Sequence, residues 1–264
     1  MDFQLSTDST GAGPKLAYLL HGILGSRRNW ASFARALAEA RPGWRFVRVD
    51  LRGHGDSRGA PGPHTVRACA EDLARLTQTT GTPQVIIGHS FGGKVALEYG
   101  RLNPSGVRHL WALDSAIGPG DPNTLGVPQV IETARAMPTP APDRASVVGW
   151  FLDQGCPQLI ARWMTTNLRR QPHGGYRWRF ELDTIEPLLA DYWRVDLWPF
   201  LEALPFGITA HILRAERSAR WTPEIVSRLT SLPGVHTPLL KDAGHWVQMD
   251  NPKGLLAHLL RGFD

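Results

Sequence analysis

The sequence predicts an α/β fold, a mostly parallel sheet with helices on both faces. Three observations predict it. Short apolar runs alternate with segments of helical period along most of the 264 residues. One run, Val85-Ile86-Ile87, ends in Gly88-His89-Ser90-Phe91-Gly92-Gly93, and a helical segment starts at once with Lys94-Val95-Ala96-Leu97. Ile23, Asp50, Ser90, Asp114, Glu216 and His245 all fall just after apolar runs, at the strand ends where open parallel sheets gather their ligands.

Taken in order, Phe3-Gln4-Leu5 reads as a short edge strand and Asp8 to Pro14 as a polar turn. Leu16 to Leu20 is a buried strand that ends in the glycine-marked loop His21-Gly22-Ile23-Leu24-Gly25-Ser26. Ser26 or Asn29 caps a helix from Trp30 to Ala40, whose apolar positions Trp30, Phe33, Ala34 and Leu37 share one face. A strand over Arg45 to Asp50, a helix over Val66 to Thr77, the serine strand with its helix, and a strand over Val107 to Leu113 follow. Regular alternation then stops. Pro- and Trp-rich sequence runs from Gly118 to about Phe206, with helical pieces at Val147 to Phe151 and Gln158 to Leu168. Alternation resumes with strand Ile208 to Leu213, helix Pro223 to Leu229, strand Val235 to Leu240, Gly244-His245, and a helix from Pro252 to Arg261. The expected organisation is therefore a core in two parts, 1–117 and 207–264, carrying an insertion at 118–206.

Composition narrows the function classes. A chain this long, 42% hydrophobic, buries a core without staples. Cys69 and Cys156 are far apart and form no C-x-x-C, which reads as free thiols in a reducing compartment and no zinc site. The first residues lack a basic and then apolar leader, and no run is long enough to span a bilayer, so a cytoplasmic protein is expected. The net charge of +5 and Tyr176-Arg177-Trp178-Arg179-Phe180 raise nucleic-acid binding. Trp178 and Phe180 alternating into a core with solvated arginines between them is the simpler reading, and no nucleic-acid partner is expected.

The chemistry centres on Ser90. G-x-S-x-G at a strand-to-helix turn holds the serine out at the carboxyl end of the sheet, and Gly88 and Gly92 leave room that a Cβ would fill. Gly88 to Lys94 also fits the start of a P-loop, but Val95 stands where Ser or Thr must hold magnesium. A serine nucleophile needs a base. His245, after the last strand and late in the chain, suits that part. His89 is expected to point away from the tight turn, and His54 sits in a glycine loop as a structural residue.

His21-Gly22-Ile23-Leu24-Gly25-Ser26, Asp50-Leu51-Arg52-Gly53-His54-Gly55, Gly88 to Gly93 and Gly244-His245 resemble the α/β-hydrolase superfamily across nearly the whole chain. Shorter stretches, among them Leu113-Asp114-Ser115-Ala116 and Thr166-Asn167-Leu168, look like the small bacterial esterases of the YbfF type and their mitochondrial relatives. The resemblance implies that the insertion is a helical lid and that the N–H groups of Ile23 and Phe91 form an oxyanion hole, with no metal or organic cofactor. Epoxide hydrolases and dehalogenases are set aside because they would need Asp at Ser90.

The triad acid departs from the common pattern. The usual place after strand Ile208 to Leu213 holds Ser218, which leaves Glu216 or Asp114, with Asp121 and Glu132 as outsiders. YbfF-type esterases, by resemblance, use the earlier strand end, which favours Asp114. The expected activity is that of a serine carboxylesterase on short to medium acyl esters. Thioesterase, lactonase, carbon–carbon bond hydrolase and cofactor-free haloperoxidase are alternatives on the same fold, and a binding protein is the rival from another class. Trp150, Trp163 and Trp246 are the expected substrate contacts, and Phe151, Trp178, Tyr192 and Trp193 are further aromatic candidates for an acyl pocket.

Overall fold

The structure is a computed structural model and describes residues 3–122 and 126–263. In chain order the first half comprises β1 (Thr7–Thr10), β2 (Lys15–Leu20), α1 (Ala31–Ala40), β3 (Trp44–Val49), α2 (Val66–Thr80), β4 (Val85–His89), α3 (Phe91–Leu102) and β5 (His109–Leu113). Next come α4 (Val127–Ala136), α5 (Arg144–Asp153), α6 (Gln158–Met164), the hairpin β6 (Leu168–Arg170) and β7 (Tyr176–Trp178), α7 (Leu182–Tyr192) and α8 (Trp198–Glu202). The chain ends with β8 (Thr209–Ala215), α9 (Pro223–Thr230), β9 (Val235–His236), β10 (Leu239–Leu240), α10 (Val247–Asp250) and α11 (Pro252–Leu260).

The main sheet runs β1-β3-β2-β4-β5-β8-β10, with β9 also paired to β8. Only β1 is antiparallel among the described pairs of this sheet. The two-residue period of the strands sorts their side chains onto two faces. Tyr18, Leu20, Val47, Val49 and Ile86 pack on the α2 and α3 side, while Ala17, Leu19, Phe46, Val85 and Ile87 pack on the α1 and α11 side.

Three expectations about elements are corrected. The edge strand is Thr7–Thr10, not Phe3 to Leu5, because it is the later segment that pairs with β3, from Thr7 opposite Val49 to Thr10 opposite Phe46. The stretch Val235 to Leu240 is two short strands, interrupted at Thr237-Pro238, since proline cannot supply a ladder N–H. The helical reading of Gln158 to Leu168 ends early: α6 stops at Met164, a 3-10 turn covers Thr165–Asn167, and Leu168 opens the hairpin.

Residues of α4 to α8 share one apolar cluster with α2 and α3. The join to the serine helix runs through a buried cation. Lys94 Nζ donates to the carbonyls of Gly118, Tyr192 and Val195 at 3.0, 2.7 and 2.8 Å and lies 4.5 Å from the Tyr192 ring centroid. Burial and the neighbouring Arg220 lower its pKa to about 7, while three carbonyls match the three donors of an ammonium. Lys94 thus faces protein backbone, not a phosphate. The Arg52 to Gly59 loop makes a second join: Gly53 O accepts from Glu181 N–H at 2.8 Å, and Arg58 donates to Trp178 O at 2.6 Å.

Lys94→Met removes the donors and leaves three inward carbonyls unpaired, which should cost about 3 kcal/mol or more. A thermal melt should show Tm lower by roughly 6 °C or more, and a change under about 2 °C would refute the clamp.

Candidate active site

Ser90 precedes the first residue of α3 with φ 51 and ψ −117, a conformation that L residues avoid. Close approach holds it there. A Cβ on Gly88 would lie 2.0 Å from Gly92 O, and one on Gly92 would lie 2.5 Å from His21 O. The Ser90 N–H is pinned to Leu113 O at 2.9 Å. Both glycines of G-x-S-x-G are therefore demanded by packing of the serine turn against strand ends.

Asp114, the residue after β5, also has positive φ, 44, and its N–H bonds to Leu213 O at 2.9 Å. Its carboxylate is fully buried and accepts four hydrogen bonds. They come from His245 Nδ1 at 2.7 Å, Trp221 Nε1 at 2.6 Å, Ser218 Oγ at 2.9 Å and Ala215 N–H at 3.3 Å. Arg220 Nε lies 3.6 Å away. Burial alone would raise this carboxyl, but the hydrogen bond and charge of His245, the charge of Arg220 and the Trp221 indole outweigh it, so the pKa is lowered and the group is ionised. Glu216 lies elsewhere: its carboxylate accepts from Asp242 N–H at 2.8 Å. The serine that stands where the common pattern has its acid, Ser218, is a donor to Asp114.

Asp114 thereby fixes His245 with Nδ1 protonated and leaves Nε2 free on the other side of the ring. Ser90 and His245 line one cavity of about 820 Å³ with Ile23, Ile160, Trp163, Trp246 and Met249. No hydrogen bond joins the Ser90 hydroxyl to His245 among the described residues, an arrangement common before substrate binds. Phe91 is the first residue of α3, with its ring buried between His54 and Tyr192.

The aromatic expectations divide. Trp163 and Trp246 line the cavity, their ring centroids 4.5 Å apart. Trp150 does not: its indole donates to Thr133 O at 2.9 Å inside the α4–α5 contact. Phe151, Trp178, Tyr192 and Trp193 are likewise core residues. Arg162 is the one lysine, arginine or carboxylate side chain lining the cavity among the described residues.

Histidine placement is where sequence reasoning fell short. His89 lines the cavity instead of pointing away, and its Nε2 donates to His245 O at 2.7 Å, so it braces the main chain of the histidine loop. His21 and His54 join the loops after β2 and β3. His21 Nε2 accepts from Leu51 N–H at 3.0 Å, and His54 Nε2 accepts from Leu24 N–H at 3.1 Å. Each Nδ1 donates to a carbonyl, Gly22 O at 2.8 Å and Arg52 O at 2.9 Å, so both rings are neutral with the proton on Nδ1. Burial lowers His21 to about 4; burial, then the neighbouring His21, lowers His54 to about 3. The glycine loops marked both residues, but nothing in the sequence pairs positions thirty apart.

These shifts have a sign. Unfolded imidazoles take up protons near pH 6.5, while His21 and His54 resist until about 4 and 3, so between those values the unfolded chain binds more protons and stability falls with falling pH. Each contributes on the order of 1 kcal/mol per pH unit within that window and no slope above it. Melts from pH 7 to pH 4.5 should show a steady fall in Tm, and His54→Gln, which keeps an acceptor and cannot titrate, should flatten it. An equal slope in wild type and variant would count against the neutral tautomer.

A family model described as "alpha/beta hydrolase fold" matches residues 18–155. The chain is 31% identical over 254 residues to "Lipase LipV" of Mycobacterium tuberculosis (strain ATCC 25618 / H37Rv), covering 93% of this chain and 92% of that protein. It is 29% identical over 257 residues to the mouse (Mus musculus) "sn-1-specific diacylglycerol lipase ABHD11", covering 94% of this chain and 80% of that one. Among solved structures, a "Marine microorganism esterase" superposes with TM-score 0.87 at 24% identity, over 98% of this chain and 99% of that chain. Among the described residues no helix is long and apolar enough to cross a membrane.

Proposed function

This chain belongs to the alpha/beta hydrolase fold family and is an enzyme of the esterase type; we propose that it is a serine carboxylesterase that forms an acyl-enzyme on Ser90. The observation that carries the reading is one cavity lined both by Ser90, on its strained turn, and by His245, whose imidazole a buried carboxylate orients. A buried, ionised Asp114 lowers the energy of the imidazolium that forms when His245 takes a proton.

In the reading offered, His245 Nε2 removes the Ser90 Oγ proton as Oγ adds to the ester carbonyl. The N–H groups of Ile23 and Phe91 receive the oxyanion, the second of them at a helix start where the dipole favours negative charge. His245 then gives its proton to the departing alcohol, and the acyl group remains on Ser90. Water, deprotonated by the same imidazole, repeats the addition and frees the acid and the serine. Residues 118–206 act as a lid, whose part in substrate choice rests on Val127, Val130, Ile160 and Trp163 lining the cavity.

A fluorophosphonate probe should label Ser90 in the wild type and nothing in Ser90→Ala, and that variant should fold and lose ester hydrolysis. A folded Ser90→Ala with a tenth of wild-type turnover would exclude the mechanism. Asp114→Asn should lower kcat by about a hundredfold or more, since the same change in the serine-protease template costs about ten-thousandfold. Glu216→Gln, whose amide oxygen still accepts from Asp242 N–H, should be nearly silent. Reversed effects would move the acid to the later strand.

Short acyl esters, up to roughly six carbons, are the substrates proposed, although the cavity of about 820 Å³, within the usual range for small-molecule sites, has room for longer chains and does not itself set that limit. Nitrophenyl esters of graded length should be cleaved fastest at the short end, and thioesters of the same acids more slowly. Faster turnover of palmitoyl than butyryl ester would overturn the short-chain assignment, and faster thioester cleavage would shift the class to thioesterase.

A further inference from the structure

Ser218, Arg220 and Trp221 lie in the turn between β8 and α9, and all three face the carboxylate of Asp114. Ser218 Oγ and the Trp221 indole are neutral donors to it, at 2.9 and 2.6 Å. Arg220 differs. Its Nε stands 3.6 Å from Asp114 Oδ2 and makes no hydrogen bond there, since that oxygen already accepts from His245 Nδ1 and Ser218 Oγ. Only 8% of the Arg220 side chain is exposed, and among the described residues neither Nε nor Nη2 has an acceptor, while Nη1 reaches the Tyr192 hydroxyl at 3.4 Å. Arginine carries its charge at every working pH, so the turn holds a fixed cation against the carboxylate that orients the histidine.

That charge reaches the imidazole. Arg220 Nε and His245 Nδ1 meet the same carboxylate oxygen, at 3.6 and 2.7 Å, so they are no farther apart than those two distances laid end to end. At such range in a buried site one positive charge disfavours another. Asp114 therefore favours the imidazolium and Arg220 opposes it. The other groups around the pair are differently engaged. His89 of β4, its ring centroid 4.9 Å from that of His245, is lowered to about 3 by burial and then by His245, and is neutral. Asp250 of α10 accepts from Gly244 N–H, and Glu216 and Arg217 turn to the backbone of Asp242. Tyr192 of α7 accepts from Ala116 N–H, and Arg162 stands at the cavity wall. Lys94 of α3, lowered by burial and then by Arg220, donates to its three carbonyls, with Asp191 and Asp196 acting on it in the opposite sense. Apart from His245, Arg220 is the one of these groups ion-paired with Asp114 among the described residues.

We propose that Arg220 is a positioning residue for the Asp114–His245 pair: its buried charge opposes proton uptake by His245, so that the imidazole stays available as a base at lower pH than the carboxylate alone would allow. The inference rests on the reading of His245 as the base for Ser90. Arg220 does not line the cavity, so it acts through the pair and not on substrate.

The test is the acid limb of kcat/KM for a neutral short nitrophenyl ester, because that limb reports the base of the free enzyme. Arg220→Met removes the charge at similar length. The imidazolium then keeps Asp114 and loses its opponent, so the limb should rise by roughly half a pH unit or more, a loss of about threefold in kcat/KM on the acid side. Arg220→Lys keeps a charge and should bring the limb most of the way back to its wild-type position. Lys94 cannot produce the rise. Freed from Arg220 it would hold its proton more firmly, and that added positive charge pushes the limb down.

A folded Arg220→Met with a smaller rise, or with a fall, overturns the proposal, and so does an Arg220→Lys that rises as far as Arg220→Met. A lower plateau with the limb unmoved is the mark of lost packing and overturns it too. Should Arg220→Met fail to fold, the wild type decides in sodium chloride raised from about 0.05 to about 1 M, which screens exposed charges and spares buried ones. A limb that moves by less than about half a pH unit supports the proposal, and a larger move puts exposed charges in control and overturns it. Absence of fluorophosphonate labelling at Ser90 in the wild type fells the serine mechanism together with this inference, whereas labelling with an unmoved limb in Arg220→Met removes only the inference.

Discussion

Backbone strain at the carboxyl edge of the sheet is the constraint on which the site depends. Among the described residues the non-glycine positions with positive φ are Leu24, Ser90, Asp114 and Asp242, and each follows a strand of the main sheet. Each costs of order 1 kcal/mol or more, and such conformations persist only where neighbours leave no alternative. Here every one has its N–H taken: Leu24 by His54, Ser90 by Leu113, Asp114 by Leu213 and Asp242 by Glu216. The strained turns re-aim the chain at strand ends, so the serine, the carboxylate and the loops carrying Ile23 and His245 meet above one edge.

The same edge is braced by hydrogen bonds that hold its loops to one another. Asp114 is held by Trp221 and Ser218 as well as by His245, so the carboxylate keeps one position while its histidine partner sits at the cavity wall. His89 ties the serine turn to the histidine loop through a single main-chain carbonyl. Lys94, one turn into the serine helix, gathers three carbonyls from the segment above it. Helix α3 therefore follows Ser90 directly and holds the carbonyls of Gly118, Tyr192 and Val195 through Lys94 one turn later, so that the serine and these three carbonyls refer to one rigid element.

Several parts of this arrangement were legible in the chain. Apolar runs broken by glycine marked the strand ends, because a two-sided buried strand must be apolar and its exit turn must tolerate close approach. Gly88 and Gly92 stand where a Cβ would strike backbone. The absence of a carboxylate at Ser218 narrowed the acid to two places, and the pairing of Asp114 with His245 across 131 residues resolves which of them faces the imidazole. The aromatic residues of the insertion were less legible. Trp150 and Trp163 look alike in sequence, yet one indole donates to a core carbonyl and the other lines the cavity, a difference set by which face of a helix meets which neighbour.

By itself the sequence determined the α/β alternation, the serine turn and the set of residues brought to the carboxyl edge, since these follow from local period, glycine placement and order along the chain. Tertiary structure alone decided that His54 receives the Leu24 N–H, that His89 faces the cavity, that Ser218 and Trp221 serve Asp114, and that Lys94 closes on three carbonyls. The physical reason is range: propensity and periodicity act over a few residues, whereas a buried polar group takes as partner whichever donor or acceptor the packed chain brings within about 3 Å.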